Sequence, residues 1–124
     1  MYIQYNANPK MHKGDDCTVR AISLALDQHW IKVYLRLCAY GLRHYDMPSA
    51  NHVWGHYLRD QGWKRQLVDE DPEYTVSDFT FDNPKGKFIL ALRGHVVTVI
   101  DGNYYDSWDS GNEIPIYYWQ EAGQ

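Results

Sequence analysis

Apolar positions recur at helical spacing from Cys17 to about Gly62, and from Lys87 onward they gather into short strand-like runs. In CTVRAISLAL, Val19, Ile22 and Leu26 share one helical face, so a first helix is predicted to open at Cys17, with Asp15 or Asp16 as its N-cap. Trp30, Val33, Tyr34, Leu37 and Cys38 follow the i, i+3, i+4, i+7, i+8 rule and predict a second helix that buries this stripe and ends near Gly41. A third helix is predicted after Met47-Pro48-Ser49, with Ser49 as cap, Val53, Trp54, Tyr57 and Leu58 facing inward, and Gly62 as its stop.

Beyond Gly62 the period shortens. WKRQLV reads as a strand, DEDPEY as an acidic solvated loop, and TVSD, before Phe79, as a capping box opening a short helix. After the DNPKG turn, KFILAL, HVVTVI, NYYDSW and PIYYWQ are β-branched and aromatic runs separated by glycine-containing turns, the pattern of an antiparallel meander. Residues 1–16 show no sustained period and read as an extended arm and a loop. Helices first and strands second predict an α+β fold, with the helices packed against one sheet.

At 124 residues the chain makes one domain, long enough to bury about two-thirds of its unfolded surface. Its formal charge of −4 and its scattered basic residues provide no stripe for a phosphate backbone, which argues against nucleic acid as a partner. No apolar run reaches the ~20 residues that span a bilayer, and the polar N-terminus lacks a leader pattern, so no membrane partner and a cytoplasmic location are expected. In that reducing compartment the two cysteines, Cys17 and Cys38, are expected to be thiols, with Cys38 in the core. His52 and His56 stand at i, i+4 with His44 nearby. No glutamate accompanies them and no third ligand is convincingly spaced, so no metal site is assigned.

The chemistry concentrates in GHVVTVIDGNYYDSWDSG. Asp101-Gly102 between apolar runs predicts a two-residue type I′ hairpin, because both central positions need positive φ. In that register Ile100 faces Asn103, Val97 faces Asp106 and His95 faces Trp108. One side of the ribbon then carries His95, Val97, Val99, Tyr104, Asp106 and Trp108. Asp106 becomes the diagonal neighbour of His95, near enough for carboxylate to meet imidazole, whereas Asp109 points away and Asp101 sits at the far end. Such a carboxylate orients an imidazole and stabilises its protonated form. Cys17, at a helix N-terminus, supplies the nucleophile, since the helix dipole and an imidazolium both favour thiolate. Cys17, His95 and Asp106 together form a set for nucleophilic acyl transfer, for which no cofactor is needed. Asp15 and Asp16 would oppose the thiolate if aimed at it, and are expected to face backbone amides or solvent.

A cysteine opening the first helix, a histidine starting a distant strand and an acid on the next strand resemble papain-like cysteine peptidases. Asp106-Ser107-Trp108 is similar to their Asn-Ser-Trp, in which the tryptophan shields the catalytic pair, and Asp16-Cys17 resembles the Asp-Cys of bacterial double-glycine leader peptidases. GDDCTVRAISLAL and YYDSWDSG are also similar to segments of short phage and Gram-positive open reading frames. The resemblance spans about thirty residues around Cys17 and His95–Gly111 and implies a papain-like fold and cleavage of a peptide or isopeptide bond in a peptide or protein substrate. The family supplies an oxyanion-binding glutamine some six residues before the cysteine; here Met11 stands there. Gln4, Asn8, His12 and Lys13 are the nearby substitutes, beside the Cys17 backbone N–H, with Trp108 as shield. A papain-like scaffold that binds a host protein without catalysis, and an acyltransferase with an amine acceptor, are the alternative functions.

Overall fold

The computed structural model describes residues 1–123. The chain runs β1 (Tyr2–Gln4), α1 (Cys17–Leu26), α2 (Trp30–His44), α3 (Asn51–Asp60), β2 (Lys64–Leu67), α4 (Val76–Asp82), β3 (Lys87–Leu92), β4 (His95–Ile100), β5 (Asn103–Asp106) and β6 (Pro115–Gln120). It is an α+β protein built on one mostly antiparallel six-stranded sheet of order β1-β5-β4-β3-β6-β2. No helix among the described residues is long and apolar enough to cross a membrane.

The predicted hairpin forms in the expected register. Asp101 and Gly102 take φ of 49° and 79°, and Ile100, Val99 and Thr98 pair with Asn103, Tyr104 and Tyr105. Asp101 also accepts the Gly86 amide at 2.9 Å, which ties the turn to the one before β3. The four C-terminal strands are not a meander, however. β6 returns past β5 and β4 to pair with β3, and the exposed strand β2 extends the sheet beyond it. On the opposite edge the N-terminal arm adds β1 parallel to β5, with Gln4 opposite Asp106. Three residues are too few for alternation to have announced this strand.

The helices pack against one sheet, as expected, and cover both of its faces. Alternation sends Ile89, Ala91, Val96, Tyr117 and Trp119 toward α1–α3, where Ile22, Leu37, Trp54 and Leu58 are fully buried. Phe88, Leu90, Val97, Val99 and Tyr104 point the other way, onto Val76 and Phe79 of α4. Each aliphatic side chain so buried contributes roughly 1.5–3 kcal/mol. The Thr98 hydroxyl crosses from β4 to donate to the Ala21 carbonyl of α1 at 2.7 Å, fixing helix against strand.

The helix signals hold with local exceptions. Thr75 and Asp78 complete the capping box of α4. Gly62, at φ 88°, follows the C-cap of α3, and Trp63 N–H reaches back to the Leu58 carbonyl. Ser49 is not the α3 cap: Ala50 occupies that position without a side-chain bond. Tyr34 leaves the buried stripe of α2 and stacks on Trp30 at 5.2 Å on the solvent side. Cys38 is half-buried rather than core, and both cysteines are free thiols. Gly41 lies near the end of α2, at His44, as expected, and lets the Asp46 carbonyl fold back, since a Cβ would lie 2.7 Å from that oxygen.

Gly111 anchors the loop between β5 and β6, and a Cβ there would collide with the Tyr104 hydroxyl and come within 2.7 Å of Ser77 Oγ. Gly111→Ala is expected to lower stability by about 1–3 kcal/mol, an overpacking cost measurable as a lower urea midpoint with an unchanged slope. A midpoint equal to wild type would show that the loop yields freely.

Candidate active site

β4 begins with His95 and β5 ends with Asp106, so the hairpin ladder carries the two residues to the same end of the sheet. Their side chains meet at 2.6 Å, His95 Nε2 to Asp106 Oδ2. Diagonal placement across the ribbon achieves this, as the register expectation required. The carboxylate is buried, and its other contacts hold it still: the Ser107 amide donates to Oδ1 at 2.8 Å and the Ser110 hydroxyl to Oδ2 at 2.7 Å. Its backbone carbonyl accepts from the Tyr5 amide and the Tyr2 hydroxyl, so β1 braces the residue from behind. Asp109, placed off this face by the register, instead accepts from the Tyr104 hydroxyl and the Gly111 amide.

Cys17 occupies the first position of α1, and α1 packs along β4, which sets the thiol against His95 and the Val96 backbone. Burial pushes the thiol upward, but the hydrogen bond and charge of His95, with the Val96 amide and Thr18 side chain, outweigh it and leave its pKa lowered. For His95, burial favours the neutral ring. Hydrogen bonds and charge from Asp106 and Cys17 prevail and raise its pKa to about 9. With Nε2 committed to Asp106, Nδ1 is the nitrogen left to exchange a proton with sulfur. Trp108 lies beyond the end of β5 yet packs its ring 4.8 Å from the imidazole at 38°, covering the pair on one side while half exposed on the other.

The two acids before the cysteine are disarmed, Asp15 by solvent as expected and Asp16 by side chains rather than backbone amides. Asp16 occupies the N-cap position of α1 but makes no capping bond. Its carboxylate is taken up by Arg20 at 2.6 Å, Trp30 Nε1 at 2.9 Å and Asn8 Nδ2 at 3.1 Å, and Asp15 is exposed. The amides of the first turn are therefore left without a side-chain cap. Arg20 and Ser110 are the supporting residues that pattern analysis missed; an arginine four residues after an aspartate was a readable signal, whereas Ser110 lies in an aperiodic loop.

The residues expected as oxyanion donors fare unevenly. Asn8 is consumed, donating to Asp16 and accepting from the Lys10 amide. Gln4 is exposed on β1, beside Asp106 in register but outside the cleft, and His12 is exposed on the loop before α1. Met11 is exposed, in the left-handed region at φ 54°. Lys13 lines the cleft, a depression of about 680 Å³ that holds Cys17 and His95 between the Lys13–Asp15 loop, Asn51 of α3, Leu92 and Trp108. Away from it, His44 does come against His52 and His56, with ring centroids at 6.0 and 4.6 Å, but His52 is bonded to Asp46.

In wild type, Cys17 alkylation by iodoacetamide is expected to proceed well below pH 8 and to stay fast up to the His95 transition near pH 9. Asp106→Asn removes the charge that holds the proton on His95, so the imidazole falls toward its ordinary range and the thiol rises. The pH 7 rate should drop about tenfold or more, one pKa unit being worth a factor of ten. A profile unchanged by Asp106→Asn would separate the carboxylate from the thiol. Site-resolved mass spectrometry distinguishes Cys17 from Cys38.

Comparison of the chain with protein-family models, with curated proteins and with solved structures found no match.

Proposed function

We propose that this protein is a thiol-dependent hydrolase of papain-like plan that cleaves a peptide or isopeptide bond. One observation carries the reading: His95 is held at 2.6 Å by a buried carboxylate on one side and meets the thiol at the start of α1 on the other. A structural ion pair has no need of a third, nucleophilic group in a cleft. An acyl-transfer site does.

The cycle follows from the residues. Cys17 Sγ, as thiolate, attacks the substrate carbonyl to form a tetrahedral oxyanion, which the first-turn backbone N–H of Cys17 stabilises. The His95 imidazolium then protonates the leaving nitrogen, the C–N bond breaks, and a thioester remains. Neutral His95 next takes a proton from water as the hydroxide equivalent attacks the thioester carbonyl; the C–S bond then breaks, the acid leaves, and the thiolate–imidazolium pair is restored. Asp106 keeps the ring oriented and stabilises its charged form throughout. Trp108 limits water at the pair.

A binding scaffold of the same plan is the second reading, favoured by one finding: neither amide expected in place of the family's glutamine is available in the cleft, because Asn8 is already bonded and Gln4 lies outside it. Loss of one oxyanion donor costs ~10²–10³ in rate. Incubation with the p-nitrophenyl ester of an acetylated dipeptide separates the two. The hydrolase reading expects release of nitrophenolate and an acyl adduct on Cys17, neither seen in Cys17→Ala, and acylation slowed ~10²-fold or more in His95→Ala. Equal acylation of wild type and His95→Ala, or none at Cys17, would contradict it in favour of the scaffold.

A further inference from the structure

The cleft does not end at Asn51. That residue also lines a second depression of about 310 Å³, which continues between α3 and the β6–β2 edge of the sheet. Ala91, in the wall of the cleft, pairs with Tyr117, so the two depressions adjoin across one strand spacing. Tyr117 and Trp119 form the aromatic floor of the second, and Arg59 and Arg65 stand over it.

Its charge is unusual for this molecule. The chain carries a net −4, yet two arginines and two histidines line this pocket and no carboxylate does. His52 is paired with Asp46, but among the described residues neither arginine is ion-paired with an acid. Arg59 Cζ lies 5.5 Å above the Trp119 ring and Arg65 Cζ 4.2 Å above that of Tyr117. Each cation lies over an aromatic ring, and Arg65 also donates to the Tyr117 hydroxyl; with five N–H donors per guanidinium, both keep donors for a planar anion. Beneath them the Trp119 indole N–H is buried without a partner.

We propose that this pocket is a substrate subsite for an acidic side chain, a Glu or Asp carboxylate carried by the peptide whose scissile bond lies at Cys17. The inference rests on the hydrolase reading and specifies its substrate class. Sheet geometry sets the spacing. From β4, which carries His95, to β6 is two strand intervals and to β2 three, or roughly 10–15 Å. An extended peptide rises ~3.3 Å per residue, so the carboxylate belongs three to four residues from the reacting carbonyl.

Bromoacetyl peptides measure both the charge preference and the spacing. Thiolate displaces bromide, forming the S–C bond as C–Br breaks, and one to five alanines separate the reactive group from a terminal Glu amide or its Gln counterpart. The ratio of Glu to Gln labelling rates cancels the intrinsic reactivity of Cys17. The ratio should peak at two or three alanines, reach about tenfold as expected for a charge-assisted bidentate contact, and collapse in Arg59→Gln or Arg65→Gln. Both arginines are exposed, so these variants should fold. A ratio near one at every length, or one indifferent to both arginines, would overturn the subsite.

Binding of triglutamate to Cys17→Ala, followed through the Trp119 indole N–H resonance with triglutamine as control, tests the pocket without any chemistry. Arginine-dependent triglutamate binding beside an unreactive Cys17 would sink the hydrolase reading and leave the anion site standing. A reactive Cys17 with no preference for triglutamate would sink the subsite alone.

Discussion

The buried carboxylate of Asp106 is the constraint around which the site is arranged. An ionised side chain with so little exposure is costly unless its oxygens are fully engaged, and here His95, Ser110 and the Ser107 amide engage them. Engaging them requires the β4–β5 register, the turn of the 107–111 loop and the brace of β1. Each of these serves the protein's stability as much as the orientation of the imidazole. A fold that must satisfy Asp106 delivers His95 to the end of the sheet in one orientation.

The second requirement is that α1 presents its N-terminus to that imidazole. The Thr98–Ala21 bond and the packing of Ile22 against the sheet set the helix along β4. The N-terminal loop must then cross the mouth of the cleft with two carboxylates beside the thiol. The Arg20–Asp16–Trp30 cluster resolves this conflict by drawing one carboxylate into a satisfied network, and solvent screens the other. Local sequence therefore works against the thiolate, and tertiary contacts reverse it.

Legibility in the sequence followed the range of the interactions. The three N-terminal helices, the I′ turn at Asp101-Gly102 and the Thr75 capping box are decided within a few residues, and so could be read. The meeting of His95 and Asp106 was legible because a two-residue turn transmits its register along both strands. The insertion of β6 beside β3, the parallel addition of β1 and the cover that α4 gives the second face are set by long-range burial, and adjacency in the chain misleads about them. Ala50 displaced Ser49 as the α3 cap because the chain enters that helix one residue later than the serine suggested. Asp16 looked like a cap and became an ion-pair partner, since an arginine one turn on and an indole from α2 compete for its oxygens. The arginine's i+4 spacing was a readable signal, whereas the indole, contributed by the next helix, announces itself by neither period nor spacing.

The most direct measurement is the charge of His95 in solution, read from its ring ¹⁵N shifts as pH is varied in wild type and in Cys17→Ala. The account predicts an imidazolium at neutral pH, titrating near 9 in wild type, with a lower transition once the thiolate is gone. A neutral ring at pH 7 that titrates like an ordinary histidine, unaffected by Cys17, would contradict it.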